Sequence, residues 1–95
     1  MNHKELKKAY IKLYSAMMKY IWPVNTVELL AELETSVCNV FPIMSDVRNN
    51  FRRLRADVAA DLRDDEDMKK AFDAFQEKID KEVTFANITF AENKI

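Results

Sequence analysis

The stretch Leu6-Lys7-Lys8-Ala9-Tyr10-Ile11-Lys12-Leu13-Tyr14-Ser15-Ala16-Met17-Met18-Lys19-Tyr20-Ile21-Trp22-Pro23 decides the fold class. At about 100° per residue, Leu6, Tyr10, Leu13, Tyr14, Met17 and Ile21 fall in one arc, and Lys4, Lys8, Lys12 and Lys19 fall opposite. The pattern is that of an amphipathic helix over residues 2–21. Pro23 ends it, because the residue before a proline is pushed out of the helical region.

Working outward, the same period recurs three times. Thr26 is a candidate N-cap for a helix over 26–41, with Glu28 in its first turn and Leu29, Leu30, Leu33, Val37, Val40 and Phe41 on one face as far as Pro42. Ser45 is the next candidate cap. It opens a helix over 46–63 whose face is Val47, Phe51, Leu54, Val58 and Leu62. The run Asp64, Asp65, Glu66 and Asp67 suits a helix start, where carboxylates accept free N–H groups and meet the positive end of the dipole. A fourth helix over 66–83 follows, with Met68, Phe72, Phe75, Ile79 and Val83 inward. Connections of about three to five residues make consecutive helices antiparallel. The expected architecture is therefore an all-α, up-down bundle of four helices over 1–83, with residues 84–95 either extending the last helix or forming an extended tail.

Composition narrows the chemistry. None of the 95 residues is glycine, which removes the P-loop, the dinucleotide fingerprint, the G-x-S-x-G elbow and the EF-hand loop. The helices must stop at prolines or at new caps instead of glycine C-caps. The single cysteine, Cys38, allows no intramolecular disulfide and fits a reducing compartment. No apolar run reaches the roughly 18 residues of a membrane span, and the lysine-rich start lacks a signal-peptide core. A cytoplasmic location without membrane contact is expected.

Catalytic constellations are thin. His3 sits near a terminus and Cys38 beside the apolar arc of the second helix, a poor basis for a held nucleophile–base pair. Met1-Asn2-His3 matches a square-planar copper or nickel motif only loosely. Asp61, Asp65 and Asp67 imitate a calcium loop but lack its glycine, with Lys69 where a ligand belongs. Glu28 and Glu32 lack the Glu-x-x-His partners of a di-metal bundle and read as a solvated face. Neither a cofactor nor a metal is expected, and the chain reads as a non-enzyme.

Charge is divided along the chain. Residues 1–55 carry nine Lys or Arg against five acids, and residues 56–95 six against eleven. Two surfaces follow. Asp57, Asp61, Asp64, Asp65, Glu66 and Asp67 form a candidate acidic patch for another protein, in particular a basic nucleic-acid-binding one. Arg48, Arg52, Arg53 and Arg55, with Lys4, Lys8 and Lys12, are candidate contacts for a nucleic acid or another anion. The simpler alternative for the arginines is internal pairing with Glu28, Glu32 or the acidic last helix. The helix-turn-helix pattern fails in residues 27–42, where Thr35 replaces the turn glycine and Pro42 interrupts the second helix. Phe85, Ile88 and Phe90 are candidate oligomer contacts. The function expected first is protein–protein interaction, as an inhibitor, adaptor or assembly subunit; the alternative is nucleic-acid binding through the basic faces.

Overall fold

A computed structural model describes the backbone of residues 3–93 and the side chains of residues 4–81. Its elements are α1 (His3–Met17), α2 (Val24–Cys38), α3 (Met44–Asp57), α4 (Ala59–Asp64) and α5 (Glu66–Asn93). The architecture is all-α with antiparallel neighbours, as the periodicity implies. α1 pairs with α5 and α2 with α3, while α1 also touches α2 and α3 touches α5. α1 and α3 therefore lie across a diagonal. No helix among the described residues is long and apolar enough to cross a membrane.

One core runs through the bundle. Leu6, Leu13, Leu33, Val37, Val47, Leu54 and Met68 are buried around a trio of rings, in which Phe51 stacks on Phe75 at 4.8 Å between centroids and tilts against Phe72 at 5.7 Å. The expected inward faces of the third helix and of the fourth as far as Ile79 are all buried. The reason is simple: a 3.6-residue period commits one stripe of a helix to the interior wherever the helix starts or stops.

The element ends differ from expectation at five places. α1 stops at Met17, four residues early, because the Trp22 indole donates to the Met17 carbonyl at 2.6 Å and the Tyr20 N–H closes a tighter turn on the same oxygen at 3.1 Å. Ile21 consequently leaves the helix and is fully exposed, and Tyr14 lies on the flank of α1, where it is exposed too. α2 begins at Val24 behind Pro23, whose fixed φ of −58° already suits a helix start. Thr26 is thus inside α2 and not its cap; it is buried, and its hydroxyl donates to Asp57 Oδ2 at 2.5 Å.

At its far end α2 breaks at Asn39, which is extended (φ −61°, ψ 144°) and accepts the Phe41 N–H on its side chain at 3.3 Å. Val40 and Phe41 therefore sit in the loop, with Phe41 81% exposed, and not on the core face. α3 starts at Met44 behind Ile43, so Ser45 is not its cap either. Finally, the single helix expected over 46–63 is two. Val58 adopts φ −103°, ψ 16°, a bridge conformation that breaks the helix without glycine or proline while Val58 and Leu62 stay in the core. Among the described residues five helices replace four.

Candidate functional site

The acidic residues gather at the end of the bundle formed by the α1–α2 loop, α4 and the start of α5. Three of the six are engaged internally. Asp57 accepts from Thr26. Asp65 takes the Tyr20 hydroxyl on one oxygen and, on the other, the Met68 N–H at 3.1 Å, so it caps α5. Asp67 pairs with Lys19 at 3.3 Å. The hydrogen bond from Tyr20, and then that from Met68, hold the Asp65 carboxyl below its ordinary range, and the same contact pushes the Tyr20 phenol up. Asp61, Asp64 and Glu66 stand exposed with no ion pair among the described residues, and Arg63 is the cation of α4.

The basic residues are not brought together. Lys4, Lys8 and Lys12 lie on α1 and the arginines on α3, across the diagonal. Arg53 pairs with Glu32 at 3.1 Å and Arg55 with Asp73 at 2.7 Å, which is the internal neutralisation that the sequence offered as its simpler alternative. Arg52 bonds Asn49 at 2.9 Å, and Arg48 has no partner among the described residues. With Phe51, Arg55 and Gln76 these two arginines border an open depression of about 440 Å³. A polar cleft of about 940 Å³ lies between α2 and α3, lined in part by Ser36, Asn49, Asn50 and Arg53.

Cross-pairs also join the two charge halves of the chain. Glu5–Lys78, at 3.5 Å, ties α1 to α5, Lys19–Asp67 ties the α1–α2 loop to α5, and Arg55–Asp73 ties α3 to α5. The sequence dipole is thereby reduced in space. It survives chiefly as the acidic end.

One surface escaped the sequence reading. Ile11 and Tyr14 on α1, Met18 just past its end, and Val24, Val27 and Ala31 on α2 are all exposed. Tyr14 sits against Tyr10, with ring centroids 6.1 Å apart, and the Tyr10 hydroxyl reaches the Leu30 carbonyl at 3.5 Å, so this flank of α1 faces α2. Glu34 lies beside the same hydroxyl, whose pKa is raised first by burial and then by this carboxylate. Val27 is seven residues before Glu34, two turns away on the same flank of α2. The spacing carries a second stripe, Ile11, Tyr14 and Met18 at three and four apart, to which Tyr14 belongs and not to the core arc expected for it.

Cys38 is exposed at the end of α2 and not at the edge of the core. Among the described residues no His, Cys, Asp or Glu side chains cluster to hold a metal ion. The side chains of His3, Phe85, Ile88 and Phe90 lie outside the described residues, as does the Met1–Asn2–His3 motif. No protein-family model, curated protein or solved structure matches this chain.

Proposed function

We propose that this chain is a non-enzymatic protein-binding module, acting in the cytoplasm as an inhibitor, adaptor or assembly subunit, and that its acidic end receives a basic partner. The observation that carries the reading is a division of labour among carboxylates. Asp57, Asp65 and Asp67 are bonded to Thr26, Tyr20 and Lys19, which braces the corner. Asp61, Asp64 and Glu66 stand on the same backbone, exposed and unpaired. Unpaired charges at fixed spacing speed encounter and set orientation, which is how electrostatic complementarity selects a partner. The exposed Ile21, next to Tyr20 at this end, supplies apolar contact beside them.

The test is affinity capture from native lysate with the wild-type chain and with a variant carrying Asp61→Lys, Asp64→Lys and Glu66→Lys. The reading expects a set of basic proteins retained by the first and lost by the second. Identical sets would overturn it.

A second reading is nucleic-acid binding, favoured by Arg48 and Arg52, which have no carboxylate partner on the exposed side of α3. Here α3 acts alone, because the α1 lysines lie on the other side. It expects a shift of DNA or RNA at low salt that weakens steeply as salt rises and disappears on Arg48→Glu.

A further inference from the structure

The geometry points to a homodimer built on the exposed face of α1 and α2, with a second copy of this chain as the occupant. The inference is independent of the acidic end. It rests on how the face matches itself.

The two helices are antiparallel neighbours in a defined register. With Tyr10 level with Leu30 and equal rise in both helices, a residue n of α1 is level with roughly residue 40 − n of α2. Toward the loop end the face is apolar, with Tyr14 and Met18 beside Val27 and Val24. Toward the other end it becomes charged, and oppositely so on the two helices: α1 carries Lys4 and Lys7, neither with a carboxylate partner among the described residues, while α2 carries Glu34, which lies beside the Tyr10 hydroxyl and has no ion pair among them.

A two-fold axis parallel to the helices lays α1 of each copy on α2 of the other and preserves height along the axis. Lys7 then meets Glu34 of the second copy, Tyr14 meets Val27 and Met18 meets Val24. Each contact occurs twice. A two-fold perpendicular to the helices would instead lay α1 on α1 in reverse, pressing Lys4 and Lys7 against the apolar end, where their charge would be desolvated without a partner. Charge therefore selects the first arrangement. The footprint, two 15-residue helices, is about 22 Å by 20 Å. At roughly 440 Å² a side this lies below the about 800 Å² a side of a standard stable interface, so the dimer is weak and forms only at high concentration.

The test is sedimentation of the full chain over about 1 to 500 µM, with Lys7→Glu, Glu34→Lys and the double variant. The wild type should pass from 11.2 kDa to twice that mass. Each single reversal should weaken association by about tenfold or more, and the double variant should restore it, because the swap recreates both opposite-charge contacts. Lys7 is exposed and Glu34 is exposed but lies beside the Tyr10 hydroxyl, so circular dichroism of each variant checks that the fold is kept. A chain monomeric throughout the range overturns the proposal. So does a dimer indifferent to the single reversals, which would place the interface elsewhere, or a double variant as weak as the singles.

Discussion

The hydroxyl of Thr26 donates to Oδ2 of Asp57 at 2.5 Å, joining the first turn of α2 to the last turn of α3 across 31 residues of chain. Asp57 is poorly placed for its own helix, since a carboxylate at a C-terminus opposes the dipole by about 0.3–1 kcal/mol. The bond from Thr26 offsets that cost. Thr26→Val keeps the shape and removes the donor, and should destabilise the fold by about 1–2 kcal/mol in urea denaturation. Asp57→Asn, which keeps an acceptor and removes the misplaced charge, should cost less. Equal midpoints for wild type and Thr26→Val would show that the bond contributes nothing.

Tyr20 and Asp65 couple the acidic end to pH. Asp65 is held below the ordinary value of about 3.9 by the Tyr20 hydroxyl first and the Met68 N–H second. The folded chain thus binds this proton more weakly than the unfolded chain does. Its contribution is complete above about pH 3.9 and is lost as pH falls through the lower folded value. Tyr20 runs the other way: its pKa is raised, so its contribution is complete below about pH 10 and is lost as pH rises through the higher folded value. In Tyr20→Phe, the Asp65 carboxyl resonance should titrate at higher pH than in wild type. An unmoved midpoint would leave the Met68 and Asp67 N–H groups and Lys19 as the causes of the lowering.

Phe51 stands where α3 meets α5, against both Phe72 and Phe75, and is 1% exposed. Truncation to alanine removes the ring from two aromatic contacts and leaves a cavity, at a cost of about 3–5 kcal/mol. Set against a total stability of about 5–15 kcal/mol, that is a large share of what holds a domain of this size together. Phe51→Leu should cost clearly less, because leucine refills part of the volume. Thermal melts of the two variants provide the check.

What was legible in the sequence is the part fixed by repetition. Val47, Phe51, Leu54, Val58 and Leu62 recur at helical spacing, and all five are buried even though the helix that carries them breaks at Val58. The break itself leaves no local mark, since no glycine or proline stands there. Thr26 was misread because capping preferences consider only the following turn, whereas its partner is in another helix. Ile21 was misread because an arc drawn at constant pitch continues past the point where Trp22 closes α1. The arginine stripe was half legible. Residue type showed the charge, but only packing assigned Arg53 to Glu32 and Arg55 to Asp73, leaving Arg48 unpaired. The α1–α2 face is not legible because its weaker apolar stripe runs beside the stronger core stripe of the same helix.

The ion pairs differ in what surrounds them, and stability should follow the surroundings. Arg55–Asp73 is the short one, at 2.7 Å, with the arginine side chain two-thirds shielded, and it links α3 to α5. Glu5–Lys8 spans 3.9 Å within one helix, with the lysine largely in water. Exposed pairs contribute about 0.2–1 kcal/mol and pairs along a helix less. A double-mutant cycle on Arg55 and Asp73, read by urea denaturation, should therefore give a coupling near the upper end of that range. The same cycle on Glu5 and Lys8 should give almost none, although Glu5 also meets Lys78 and its single-variant cost will include that contact. Raising salt to about 1 M shortens the screening length to about 3 Å and should reduce the exposed pair's coupling proportionally more than that of Arg55–Asp73. Equal couplings at low salt would mean that the shielding of Arg55 adds nothing to its contact with Asp73.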